Sequence, residues 1–537
     1  MEVCQGAAVF PGIAAGKILY YHKNEYEIRQ YAITNIKTEI ALFHEACSNV
    51  CTTLDRLYEE QTAAGSDSAA IFLEQKKLLQ SGSYRRAIES VIQTETVNAA
   101  YAVMTTRDEM TAVFQDLESP IIRERLLNIR EISDRLICVL GGVSPRIDLG
   151  EEPVILVTES ITPAELLEMD RDKLLAIVTH HGSEISHAAI MAKTMDIPTL
   201  INVDTKEEWD GEWGIVDGYT RTFYIRPEED LRKEYELRRL EDQEEREELL
   251  KLRTKPDLTA DGKRVGIYAN IGNLDDINSA QYYGAAGIGL LRSEFQYLGR
   301  ESYPGENELF QAYKKLAEST NGQVAVIRTA DFGADKKAEY MQIPDEANPI
   351  MGNRGIRLSL NRKELFATQL RAIYRASAYG NLAVMYPMMT SEEEILQVEE
   401  IIREVKEGLD LARIPYQDIR TGIMIETPAA VMISRTLAKH VDFLGIGTND
   451  LTQYVLAMDR QNPALRDIYN NHHPAVLEMI RMTIENGHKE NCIVYICGEL
   501  AADTELTQTF VEMGVDALSV VPACILPLRR TLGRIHS

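Results

Sequence analysis

A multidomain α/β chain ending in a (β/α)₈ TIM barrel is predicted by three observations. Eight short apolar runs recur through the second half, at 264–271, 287–294, 324–331, 382–388, 422–426, 441–450, 493–499 and 517–522. Each has the length and the β-branched, aliphatic make-up of a strand buried on both faces. Stretches of helical spacing separate them, among them 357–379 and 392–409, so strand and helix alternate over about 275 residues, the size of such a barrel. The first 225 residues follow another plan, with short strand-like runs on either side of a long helical stretch.

The chain opens with Gly6-Ala-Ala-Val-Phe-Pro-Gly12-Ile-Ala-Ala-Gly16-Lys17, which reads as strand, turn, strand. It is not a phosphate loop, because Gly12 and Gly16 stand one residue too close and Ile18 replaces the metal-binding hydroxyl. Residues 25–140 are almost free of glycine and proline and carry apolar residues at helical spacing, as in Leu54, Leu57 and Tyr58, so an inserted helical bundle is expected. With 18 acidic against 12 basic residues, its surface leans acidic. Gly141-Gly142 ends it.

Residues 141–225 return to mixed structure, with strands expected at 154–157, 174–179, 199–202, 214–216 and 222–225 and a helix at 186–193. Together with residues 1–24 they form the expected compact α/β domain. Residues 226–258 form a linker helix whose alternating charges suit i to i+4 ion pairs on a solvated surface. The barrel then occupies 259–537.

At 537 residues the chain exceeds a single core. A net charge of −26 argues against binding nucleic acid or an anionic membrane, but leaves anionic small substrates open where cations cluster. No stretch approaches the apolar length of a membrane span, and the start lacks a signal pattern. Seven cysteines without a C-x-x-C pair fit a reducing compartment, so a cytoplasmic protein is expected. Cys47 and Cys51 share a helix face rather than a metal site.

Barrels of this kind place their chemistry where the loops after the strands converge. The polar strand ends here are Arg292, Glu294, Arg328, Asp331, Glu426, Asn449, Asp450, Cys497 and Glu499. In the first half, the glycine loop at 182 runs into an amphipathic helix with Ser186 as its N-cap and His187 in its first turn. Free backbone N–H groups and the helix dipole there favour an anion, which suits a histidine that accepts a phosphoryl group. His180 and His181 lack any metal-binding spacing.

Ser186 to Lys193, Gly287-Ile-Gly-Leu-Leu-Arg292-Ser-Glu294, Ala347-Asn-Pro-Ile-Met-Gly-Asn-Arg354, Gly422-Ile-Met-Ile-Glu426-Thr-Pro428, Gly447-Thr-Asn-Asp-Leu-Thr-Gln-Tyr454 and Ile496-Cys-Gly-Glu-Leu500 resemble Enzyme I of the phosphoenolpyruvate-dependent sugar phosphotransferase system. The match follows that family's order from Gly6 onward. The resemblance implies a phosphoenolpyruvate-protein phosphotransferase in which His187 takes the phosphoryl group and passes it to HPr or an HPr-like carrier docked on the helical insertion. It also implies that the barrel binds phosphoenolpyruvate with Mg²⁺ and forms a homodimer.

Glu426 and Asp450 are the expected Mg²⁺ ligands, since the ion takes one or two protein carboxylates beside substrate oxygens. Arg292, Arg328 and Arg460 are expected to clamp phosphate and carboxylate, with Asn449 and Asp450 beside them and Arg354 and Lys336 in support. Cys497 matches the family's proton donor to the enolate. Large rotations about the linker would carry His187 between barrel and carrier.

The sequence also departs from the family. Gly182-Ser183-Glu184-Ile185-Ser186-His187 stands where Gly-Gly-x-Thr-Ser-His is usual, so a glycine and a hydroxyl are lost and a negative charge gained. Phe72-Leu73-Glu74-Gln75 replaces a Phe-Glu-Ala-His segment, Ala502 a glycine and Asn353 an aromatic residue. A paralogue with an altered or slower carrier is the expectation. Thr162 keeps the family's threonine near the histidine. Two other readings are a non-catalytic phosphoenolpyruvate sensor and a dikinase-like enzyme without its ATP domain.

Overall fold

The computed structural model describes all residues except 22–27, 64–69, 113–119, 143–146, 183–186, 275, 299, 301, 334–338, 466–467 and 537. The chain divides into two compact units, Met1–Arg246 and Glu247–Ser537.

The first unit is built on a sheet of β1 (Glu2–Gln5), β2 (Ala7–Phe10), β3 (Ile13–Tyr21), β4 (Val154–Thr158), β5 (Leu174–Thr179), β6 (Thr199–Ile201), β7 (Trp213–Asp217) and β8 (Thr222–Ile225). Their order is β1-β8-β7-β3-β4-β5-β6-β2. The middle four, β3 to β6, pair in parallel, and antiparallel strands flank them. Every residue of β4 is buried because the sheet is covered on both faces. Ile155 and Val157 face a core with Trp209 and Phe223, while Leu156 faces one with Leu166 and Met191.

Helices Ile36–Ala63, Ala70–Gln80, Gly82–Glu95, Ala99–Ala112 and Pro120–Leu140 lie in the chain between β3 and β4. Phe43, Cys47, Val50, Leu54 and Leu57 of the first recur every three or four residues and are buried in the bundle's own core. Ser81 caps the third by accepting the Tyr84 N–H, and left-handed Thr96 ends it.

Glu229–Leu250 is the helix expected after the sheet. Its ion pairs include Lys233–Glu229 at 2.8 Å and Arg246–Asp242 at 3.1 Å, both i to i+4. It is less solvated than the charge pattern suggests. Tyr235 is buried and donates to Asp217 Oδ2 at 3.0 Å, and Arg246 reaches the Pro11 carbonyl at 2.7 Å, so one face docks on the sheet.

In the second unit, β9 (Gly266–Ile271), β10 (Ile288–Arg292), β11 (Ala325–Arg328), β12 (Leu382–Tyr386), β13 (Arg420–Ile425), β14 (Phe443–Ile446), β15 (Ile493–Ile496) and β16 (Ala517–Val520) form a closed parallel barrel. It closes where Ala517 to Val520 pair with Gly266 to Ala269. All eight expected strands form. Helices pack outside, as in Glu392–Leu411, where Ser391 and Glu394 make a capping box and Ile395, Val398, Ile401, Val405 and Leu409 are buried. Each such side chain contributes about 1.5–3 kcal/mol by burial, and Ile401→Ala would cost about 2–5 kcal/mol.

One expected helix is interrupted. The stretch 357–379 forms Ile356–Asn361 and Lys363–Ser377, broken at Arg362, whose φ of −122° and ψ of 59° are not helical. Its guanidinium instead donates to Tyr303 Oη at 2.5 Å and to the Met341 carbonyl at 2.6 Å. Among the described residues no helix is long and apolar enough to cross a membrane.

Candidate active site at the barrel mouth

Glu426 follows β13 directly and is 1 % exposed. Its Oε1 accepts the Met388 N–H at 2.7 Å, aimed by a left-handed Met388 with φ of 60°. Gly447 must lack a side chain here, because a Cβ would sit 2.9 Å from Glu426 Oε2. Asp450 lies in the first turn of Thr448–Leu456, where the helix dipole favours its charge, and its Oδ1 accepts from Arg354 at 3.4 Å.

Burial, then the charges of Asp450 and Asp331, push Glu426 up to about 8, against the pull of Arg328 and Arg354. Among the described residues, Glu426 Oε2 and Asp450 Oδ2 have no hydrogen-bond partner. Two buried carboxylates, each with a spare oxygen, fit a hard divalent cation whose other ligands come from substrate and water. No group of three or more His, Cys, Asp or Glu among the described residues forms a self-sufficient metal site.

The arginines divide into two kinds. Arg328 ends β11, is 5 % exposed, and donates through Nη2 to Glu294 Oε1, with Asp331 Oδ2 3.6 Å away. Arg354 grips Asp331 with Nη2 at 2.8 Å and Nε at 3.3 Å while its Nη1 meets Asp450. Burial works against both guanidinium charges, but the surrounding carboxylates raise both, so they stay charged. Among the described residues, Glu294 Oε2 and Arg328 Nε are buried without a partner. Arg292 at the end of β10 and Arg460 after left-handed Ala457 are exposed instead, and among the described residues neither side chain is paired. Among the described residues, the mouth thus holds two committed arginines and two available ones.

Asn449 and Glu499 hold each other, Nδ2 donating to Oε1 at 2.7 Å and the Glu499 N–H to Asn449 Oδ1 at 2.8 Å. One N–H of Asn449 remains to donate. Cys497 follows β15, is 3 % exposed, and its thiol donates to the Ile446 carbonyl at 3.5 Å. Burial and the charge of Glu426 push the thiol up to about 12, so it stays a proton donor across the neutral range.

Sequence reasoning missed Asn270. On β9, it donates to the carbonyls of Cys497 at 3.0 Å and Ser519 at 2.8 Å, and accepts from Ser519 Oγ at 2.7 Å. A polar side chain inside a buried strand was the available signal.

Glu294, Arg328, Asp331, Arg354 and Asp450 are thus joined in one ion-pair network on the barrel, and Glu426 stands within the field of its charges. Lys336 lies outside the described residues. In the first unit, His187 opens the helix His187–Thr194, but its side chain, like Ser183, Glu184, Ile185 and the expected N-cap Ser186, lies outside the described residues. Thr162 caps Pro163–Glu168 by accepting the Glu165 N–H at 3.2 Å. Leu166 of that helix shares a core with Met191 and Ala192 of the helix that His187 opens.

Three family models of PEP-utilising enzymes match the chain: the PEP-binding domain over residues 246–537, the N-terminal domain over 5–125 and the mobile domain over 150–221. The phosphoenolpyruvate-protein phosphotransferase of Haemophilus influenzae is 36 % identical over 539 residues, 99 % of this chain and 94 % of its own. That of Geobacillus stearothermophilus is 36 % identical over 99 % of this chain and 93 % of its own. That of Bacillus subtilis is 35 % identical over 540 residues, 100 % of this chain and 95 % of its own.

Proposed function

The chain belongs to the family of phosphoenolpyruvate-protein phosphotransferases, and from that premise we propose how its residues divide the work. It is a phosphotransferase enzyme, and relatives that bear this name along almost its whole length favour that activity over a passive sensor or an ATP-driven dikinase.

An imidazole nitrogen of His187 attacks the phosphorus of phosphoenolpyruvate. The N–P bond forms as the bond to the enol oxygen breaks, and the departing enolate takes a proton from the Cys497 thiol at its terminal carbon to become pyruvate. Solvent returns a proton to the thiol.

Arg292 and Arg460, the unpaired guanidiniums, bind the phosphate and carboxylate from the rim. Arg328 and Arg354 supply positive charge from a fixed frame, since their carboxylate partners already orient them. Asn449 donates its remaining N–H, and Lys336 adds a further cation. Glu426 and Asp450 hold Mg²⁺, whose chemistry when bound is to neutralise and orient phosphate oxygens.

The phosphoryl group then passes to the histidine of an HPr-like carrier, for which the acidic helical insertion is the dock. A homodimer through the barrel is supported by apolar side chains standing in solvent on that unit, Phe295, Met351 and Met432 among them. Seven free cysteines support a cytoplasmic setting.

The observation that carries this reading is the pair of buried carboxylates, Glu426 and Asp450, with spare oxygens among four arginines. Incubation with labelled phosphoenolpyruvate and Mg²⁺ tests it. Acid-labile label on the wild type, absent from His187→Ala and formed about 10²–10³ times more slowly in Glu426→Gln, is expected; an unlabelled wild type would remove the reading.

A further inference from the structure

The other end of the barrel carries a second concavity. Barrels of this class fill their interior with layers of bulky branched side chains. Here several interior positions near the starts of the strands are small: Gly266 opens β9, Ala517 opens β16, and Gly289 and Ala383 stand second in β10 and β12. Gly289 has no alternative, since a Cβ there would lie 2.2 Å from Ser519 Oγ. A cavity of about 290 Å³ remains, near the lower end of the roughly 300–1,000 Å³ of small-molecule sites.

Its walls are aromatic and its rim is cationic. Tyr268, Phe443 and Tyr495 line it, and the last two rings lie 6.0 Å apart at 40°. Tyr495 donates its hydroxyl to the Gly289 carbonyl at 2.8 Å, which leaves ring surface facing the space. Arg264 and Arg420 stand exposed at the edge, and among the described residues neither guanidinium has a hydrogen-bond or ion-pair partner. The acid at the same rim, Asp516, is already engaged by His488 Nε2 at 2.9 Å and the Val494 N–H at 2.7 Å. In a chain of net charge −26, two uncommitted guanidiniums over an aromatic pocket are a local reversal of sign.

We propose that this pocket is a second ligand site, separate from the phosphoenolpyruvate mouth, for a small monoanion with a single flat ring and a carboxylate on a short arm. The ring stacks on Phe443, Tyr495 and Tyr268, and the carboxylate meets Arg264 and Arg420. The site lies at the strand starts and the mouth at the strand ends, so both can be occupied together. This inference does not depend on the roles assigned to His187 or Cys497.

Phenylacetate is the probe, titrated into the full chain by calorimetry and followed by saturation-transfer NMR. Saturable binding at about 1 mM or tighter is expected. It should persist with saturating phosphoenolpyruvate and Mg²⁺ and in Arg292→Ala, and weaken at least tenfold in the double variant Arg264→Ala, Arg420→Ala. The neutral 2-phenylethanol should bind at least tenfold more weakly. Ala383→Leu, which fills the cavity, should abolish binding; the rim variant alone decides if that protein fails to fold. No saturable binding, equal affinity for the alcohol, indifference to the rim arginines, or displacement by phosphoenolpyruvate would each overturn the proposal.

Discussion

The Met388 N–H donates to Glu426 Oε1 at 2.7 Å, leaving Oε2 of that buried carboxylate without a protein donor among the described residues. One oxygen is fixed by a left-handed backbone turn and the other is left for a cation. Glu426→Gln keeps the first contact, because an amide oxygen also accepts, and removes only the charge. Phosphoryl transfer should fall by about 10²–10³ while the fold stays intact, as measured by rapid-quench kinetics and thermal melting.

The same carboxyl links stability to pH. Glu426 is pushed up to about 8 from an ordinary 4.5, so between these values the folded metal-free chain holds a proton that the unfolded chain has lost. Its contribution to stability is full below about 4.5 and is lost as pH rises through 8. Melting in EDTA should therefore show a downward trend over pH 5 to 8 that Glu426→Gln lacks. Saturating Mg²⁺ should remove the trend, and calorimetry should show proton release on Mg²⁺ binding below pH 8.

Cys497 is held as a thiol up to about 12 and is 3 % exposed. It should resist iodoacetamide at pH 8 while the half-buried Cys4, Cys51 and Cys524 react first. Cys497→Ala should slow Mg²⁺-dependent exchange of the pyruvate methyl protons with deuterium by about 10²–10⁴, read by proton NMR.

Asn270 holds the Cys497 carbonyl beside the thiol's strand end. Asn270→Ala leaves the Cys497 and Ser519 carbonyls and the Ser519 hydroxyl without their side-chain partner, at a cost of about 1–3 kcal/mol. Calorimetric melting should register it, and alkylation of Cys497 should quicken.

Buried strands were readable because apolar runs of strand length leave few other interpretations, so seven of the eight barrel strands lay within the expected stretches and only β13 began earlier, at Arg420 rather than 422. Several ends were set too late: Asp331 lies in the loop beyond β11, and Glu499 opens a 3₁₀ turn, Glu499–Ala502, beyond β15. The break at Arg362 was not readable, because it depends on Tyr303 and Met341, which lie far away in sequence. The docking of Tyr235 on Asp217 was hidden for the same reason beneath a charge pattern that reads as solvated.

The polar strand ends pointed to the mouth, but not to its division of labour. Arg292, Arg328 and Arg354 are alike in sequence, and only packing separates the exposed first from the other two, which Glu294 and Asp331 hold. Met388 gives no sign of its positive φ, since methionine is not a residue that favours it.

The most direct measurement is the stoichiometry of pyruvate released when phosphoenolpyruvate and Mg²⁺ are mixed with the chain and no acceptor protein. Transfer to a single histidine predicts a burst of one pyruvate per chain, matched by one acid-labile phosphoryl group on the peptide carrying His187, and neither in His187→Ala. Continuous turnover without an acceptor, or an undiminished burst in His187→Ala, would contradict it.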